Sequence, residues 1–105
     1  MSILGSSYAY RPGTHALVVE LVDYPGGYSW DAVGIFRRRS DGALFYASDS
    51  GCSCHGPWDL TVESELEPLT FEALPALEIA AHFYRDITAR QDFIRTAQSL
   101  VAGGQ

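Results

Sequence analysis

Residues 15–23, HALVVELVD, set Leu17, Val19 and Leu21 on one side of an extended chain and Val18, Glu20 and Val22 on the other. That period of two predicts a strand largely buried on one face. Pro25–Gly26–Gly27 breaks it, because that tripeptide forms a loop in any context. A second alternation runs from Asp31 to Arg39, with Val33, Ile35 and Arg37 opposed to Ala32, Phe36 and Arg38. Ser40–Asp41–Gly42 then predicts a hairpin turn, Gly42 taking a positive φ at little cost. A third strand comes next in ALFYASD, residues 43–49. Three strands joined by short connections predict an antiparallel meander.

Residues 50–70 show neither period and are expected to form a long loop. Beyond them the spacing changes to that of helices. Pro75 suits a first turn, and Leu77, Ala80, Ala81 and Tyr84 share a face as far as about Arg85. Thr88 with Gln91 matches a capping box, and Phe93, Ile94, Ala97, Leu100 and Val101 line one side of a second helical segment. Gly103 is a natural stop. Since 84–89 holds no Gly or Pro, one bent helix remains an alternative to two. The expected fold class is α+β: a three-stranded antiparallel meander followed by one or two C-terminal helices packed on one face, with Phe93 and Leu100 against the sheet. One domain spans 1–105: an N-terminal arm at 1–14, the sheet at 15–49, a Cys-containing acidic loop at 50–70 and a helical region at 71–102.

Composition narrows the function classes. A chain of 105 residues that is 47% hydrophobic is a globular domain, and no apolar run approaches the roughly 20 residues that span a bilayer. MSILGSSYAYRPG lacks the basic and apolar regions of an export signal, so a cytoplasmic location without membrane attachment is expected. The net charge is −6, and residues 41–84 carry eight carboxylates with no Arg or Lys. Such a surface repels phosphate, which disfavours general nucleic-acid binding. It is compatible with a basic protein partner, or with imitation of DNA toward a nucleic-acid-handling protein. Glu63, Glu65 and Glu67 are expected at the surface. All seven basic residues are Arg, as a GC-rich genome would produce, and the chain offers no lysine amine for modification.

Candidate chemistry concentrates in SDSGCSCHGPWD, residues 48–59. Asp49, Cys52, Cys54 and His55 could ligate zinc, but a structural zinc site usually takes a second ligand pair from elsewhere, and His15 and His82 are isolated. A thiolate nucleophile needs a positive neighbourhood, and these neighbours are acidic. Neither cysteine sits in a recognised nucleophile signature, nor is there a phosphate-binding, dinucleotide or H-E-x-x-H motif. No catalytic residue and no cofactor are therefore expected, with a zinc or thiol site at the C-x-C-H loop as the alternative. Reduced thiols are expected, since a C-x-C disulfide closes a very small ring. The remaining reading is geometric: Gly51 lets the backbone turn, Cys52, Cys54 and Pro57 shape the loop, and Trp58 is delivered across the end of the sheet as an aromatic binding surface. Tyr24, Tyr28, Trp30, Trp58 and Asp59 are the interface-type residues on this view.

The order of a strand, a loop, a hairpin closing on DGALFYASDSGCSC, then Pro57–Trp58–Asp59 and Leu66–Glu67–Pro68–Leu69–Thr70 resembles a group of small proteins encoded by actinobacterial phages and their hosts. The resemblance covers roughly residues 15–70, with SDSGCSC its most specific part. It implies a phage-type accessory protein and carries over no catalytic residue. The expected function is binding and modulating a host protein, and a homo-oligomer is compatible with it. Gly103–Gly104–Gln105 also matches the tail of the prokaryotic ubiquitin-like modifier, over three residues only.

Overall fold

The computed structural model describes residues 14–24, 28–52, 56–58 and 63–103. Its strands are β1 (His15–Asp23), β2 (Ser29–Arg38), β3 (Leu44–Cys52) and β4 (Glu67–Pro68), followed by helices α1 (Leu74–His82) and α2 (Ile87–Ala102). Single 3₁₀ turns at Glu63–Glu65 and Phe71–Ala73 lead into β4 and α1. Among the described residues the sheet is antiparallel throughout, in the order β1-β2-β3-β4. The α+β class, the meander and the C-terminal helices therefore stand, and the sheet is one strand larger than expected. The short β4 pairs Pro68 with Phe45 and Glu67 with Tyr46, and the Leu69 N–H donates to the Leu44 carbonyl at 2.9 Å. A two-residue strand leaves no periodicity to read, and Pro68 is tolerated because an edge strand need not donate on its outer side. Leu66 and Leu69, on either side of it, are buried. Part of the expected loop is thus wall rather than excursion.

Strand β2 goes beyond the single buried face expected of β1. Ala32, Val33, Gly34, Ile35 and Phe36 are all buried, so the strand is covered on both sides. On one side Val33 and Ile35 join Leu21 and Leu44 beneath Leu74, Leu77, Ala81, Tyr84, Phe93 and Ala97 of the helical region. On the other, Ala32 and Phe36 pack with Trp30, Ala47, Trp58 and Leu66. The alternation expected for β1 changes phase near its start. A register shift between Leu17 and Val19 leaves Val18 outside the ladder, so Leu17 faces Phe36 on the second side while Val19 and Leu21 face the helices. Leu17 is consequently exposed instead of joining the helical core.

The helical region forms two helices, and their boundary has an identifiable cause. Tyr84 turns inward to close the core while Phe83 stays exposed, and the backbone leaves helical geometry between them and Ile87. Arg90 of α2 caps the end of α1, its Nη1 donating to the carbonyls of His82 at 2.7 Å and Tyr84 at 3.0 Å. The N-cap of α2 is Asp86, whose carboxylate accepts from the Ala89 N–H at 3.0 Å; the expected Thr88–Gln91 box is displaced because the helix starts two residues earlier. Gly103 comes after the last helical residue, with its N–H donating to the Ser99 carbonyl at 2.9 Å. Phe93 is fully buried, whereas Leu100 is only half-buried at the margin of the same cluster. No helix among the described residues is long and apolar enough to cross a membrane.

At the opposite end, the β2–β3 hairpin turns through Gly42 at φ 78°. Arg38 grips Asp41 with two parallel bonds, Nε to Oδ1 at 2.9 Å and Nη2 to Oδ2 at 2.8 Å, while its guanidinium lies 5.0 Å from the centre of the Phe45 ring. The Arg38 hydrogen bonds, then the Ala43 N–H and the Arg38 charge, hold the Asp41 carboxyl down at about 2.

Two outcomes are expected. Phe93→Ala should cost about 3–5 kcal/mol in urea denaturation, with Leu100→Ala milder because less of that side chain leaves water. A carboxyl that binds its proton less readily when folded contributes stability that is complete above its ordinary value of 3.8 and lost as pH falls towards about 2. The Asp41→Asn protein should therefore show a flatter dependence of melting temperature on pH in that window. The effect should be small, because the pair is at the surface.

Candidate functional site

The stretch singled out by sequence divides between strand and loop. Ser48–Cys52 continues β3, with Ser48 opposite Val33, Asp49 opposite Ala32, Ser50 opposite Asp31, Gly51 opposite Trp30 and Cys52 opposite Ser29. Gly51 is therefore a strand residue beside the Trp30 indole, whose Nε1 donates to the Cys52 carbonyl at 3.0 Å, and the turn expected there comes later. Alternation along a strand places Asp49 and Cys52 on opposite faces. Asp49 is also engaged, Oδ1 accepting from the Ser50 N–H and Oδ2 from the Trp58 N–H, each at 2.9 Å. These two members of the conceivable zinc set do not converge. Cys54, His55 and Asp59 lie outside the described residues, as do the arm at 1–13 and the end at 104–105. Among the described residues no three His, Cys, Asp or Glu side chains gather as metal ligands would.

The candidate aromatic residues fall into two groups. Trp30 and Trp58 are core, with 4% and 5% of their surface exposed, so the expected aromatic display at Trp58 is corrected to a buried ring. The physical reason is the second face of β2. The Trp58 ring lies edge-on to Phe36 at 5.0 Å and against the bare Cα of Gly34, where any side chain would sit 2.8 Å from its Cζ2. Its Nε1 donates to Glu20 Oε1 at 2.8 Å, a bond between β1 and the loop that no local pattern announces. Trp58 holds this place with φ 73°, a left-handed backbone that costs a non-glycine residue about 1–3 kcal/mol. Two bonds to carboxylates and the buried indole offset that cost. Pro57 is half-buried beside it.

Tyr28, by contrast, is 80% exposed, Tyr24 58% and Phe83 78%. All three belong to the end of the sheet where β1 runs out and β2 begins. Asp23 and Asp31 face each other there across the β1–β2 ladder. With Ser48 and Ser50 of β3 and Phe83 and Tyr84 of the interhelical link they line a cleft of about 310 Å³. Arg85 closes one side, its Nε lying 3.1 and 3.2 Å from the two Asp23 oxygens while Nη2 donates to the Tyr24 carbonyl at 3.1 Å. Burial, and then the negative charges of Asp31 and Asp23, push the Tyr84 phenol well above its ordinary value, so its hydroxyl keeps its proton. Two carboxylates and a neutral phenol beside exposed aromatic rings suit the binding of a cation. No nucleophile–base pair accompanies them in the cleft. The sequence offers one signal for this site: Asp23 and Asp31 stand before and after a Pro–Gly–Gly loop, and a hairpin brings such positions together. Tyr84 entered only as a core residue.

The chain belongs to the family described as domain of unknown function DUF7574, whose model matches residues 8–102. No curated protein and no solved structure matches it.

Gly34 supplies a direct test of the Trp58 seat. Gly34→Ala should place a methyl within the indole's space and cost about 1–3 kcal/mol. Because the Trp58 ring is held at its nitrogen by Glu20, it cannot simply swing aside, and tryptophan fluorescence should shift to the red as the ring is lifted toward water.

Proposed function

We propose that this chain is a small accessory protein, of the phage type that its Ser48–Cys54 stretch resembles, and that it binds a host protein in the cytoplasm. The carrying observation is the exposure of Tyr24, Tyr28 and Phe83 around the acidic cleft at one end of the sheet. Large aromatic rings left in water lose the free energy that burial would give, and such residues anchor protein interfaces when they cluster. The carboxylates beside them favour a partner that is basic at the point of contact. The reading moves the docking surface from Trp58 to Tyr28 and its neighbours, with both tryptophans supporting the scaffold. Glu65, Glu67, Glu72 and Glu78 are exposed as well, which supports a second reading as an acidic mimic of DNA.

Affinity purification from an actinobacterial lysate, with the wild type beside Tyr24→Ala/Tyr28→Ala/Phe83→Ala, separates the two. A partner captured by the wild type and at least tenfold depleted with the aromatic variant is the expected result, about the loss that removing interface anchors brings. If capture survives that variant but disappears in Glu65→Gln/Glu67→Gln/Glu72→Gln/Glu78→Gln, and is strongly salt-dependent, the DNA-mimic reading replaces it.

A further inference from the structure

We propose that the cleft between the β1–β2 end of the sheet and the α1–α2 link is a guanidinium pocket, built to receive an arginine side chain of the partner protein. This deepens the function proposed above and rests on it for the source of the arginine.

The charge arrangement comes first. Asp23 and Asp31 are direct cross-strand neighbours, and like charges so placed disfavour the pairing unless a cation intervenes. Arg85 satisfies Asp23, with its Nη2 3.0 Å from Oδ1. Asp31 forms no ion pair among the described residues and opens onto the cleft. One carboxylate is thus matched within the chain and its twin is left for a second cation.

Tyr84 is nine-tenths buried, yet it lines the cleft and its hydroxyl makes no hydrogen bond among the described residues. The oxygen itself is not sealed from solvent, so a ligand in the cleft can reach it. Burial, and then the negative charges of Asp31 and Asp23, raise its proton affinity, so the hydroxyl keeps its proton in the cleft. A donor-rich ligand entering between them would give the oxygen an N–H to accept.

The walls select among cations. A guanidinium is planar, weakly hydrated, always charged and able to stack on a ring while its edge donates to a carboxylate. Phe83, exposed at the rim, offers such a ring, and Ser48 and Ser50 add hydroxyl acceptors. An ammonium group has no plane to stack and holds its water more tightly. Arg85 already makes the same kind of contact on Asp23, in two-point fashion, with 64% of its side chain exposed.

The test is a titration of isotope-labelled protein, monitored through its backbone amides, with three probes: acetyl-Gly-Arg-Gly-amide, the same peptide with neutral citrulline for arginine, and spermidine. The arginine peptide should saturably move the amides of Asp31, Ser48, Ser50 and Tyr84, and citrulline should not. Asp31→Asn should weaken the arginine peptide by roughly tenfold, as removal of one charge-assisted contact would. Tyr84→Phe should weaken it several-fold without altering the rest of the spectrum, and Arg85→Gln should tighten it by freeing Asp23. Equal shifts with citrulline, or unchanged affinity in a folded Asp31→Asn protein, would overturn the pocket. Tighter binding of spermidine than of the peptide would overturn its assignment to a protein side chain. The two proposals fail separately. If a lysate partner is lost with the aromatic variant but kept with Asp31→Asn, docking stands and the pocket falls. If the arginine peptide binds while lysate capture ignores the aromatic variant, the reverse holds.

Discussion

Strand β2 needs cover on both sides, and most of the architecture answers that need. Between Ala32 and Phe36 no side chain reaches water. A strand buried twice over requires two layers, which larger α/β proteins obtain by placing helices on each face. Here α1 and α2 occupy one face, and the second receives the Trp58 indole instead of a helix. A single ring serves because Gly34 lets it rest directly on the backbone and Trp30, Phe36 and Ala47 surround it. The strained φ of Trp58 is the local cost of bringing a loop residue to that spot.

The acidity of the chain looks different once its carboxylates are placed. Glu20 and Asp49 clamp the two N–H groups of Trp58, Asp41 closes the hairpin with Arg38, and Asp86 starts α2. Glu78 accepts from Gln98 across the helices, and Asp92 pairs with Arg95. Each of these has a structural occupation. Asp31, like the exposed Glu65, Glu67 and Glu72, has none among the described residues, and it differs from them in facing a second carboxylate across the ladder at the mouth of the cleft. The same comparison separates the molecule's two ends: the hairpin end pairs Arg38 with Asp41, while the cleft end presents aromatic rings and a carboxylate without an ion pair among the described residues.

Period and punctuation made the larger part of the fold legible in the sequence. HALVVELVD, the turn at Gly42 and the stripe from Phe93 to Val101 each carry a local signal, because one face or one φ angle dictates residue type. The illegible features depended on contacts distant in sequence. The phase change at Val18 is invisible in a run of three aliphatic residues, since either face accepts them. The break before α2 rests on Arg90 reaching back to His82 and Tyr84, and nothing between 83 and 86 announces it. The site shows the same limit. Cys, His and Trp cluster within residues 48–59, yet the cleft takes its members from three strands and a helix link separated by as many as 62 positions, as the Arg85–Asp23 bond illustrates. The type of Trp58 marks it as important, but its direction depends on Gly34, 24 positions earlier, and on Glu20, which no local pattern links to it.

The irregularity in β1 reaches beyond packing. Among the described residues β1 borders the sheet, and it is nine residues long and rich in valine and leucine. A straight strand of that composition would be a template on which further copies could add, the first step toward fibrous aggregates. By pushing Val18 out of the ladder, the kink between Leu17 and Val19 interrupts the even row of donors and acceptors that an incoming strand would have to match. The chain can thus show bare aromatic rings at one end without becoming a polymer along its side.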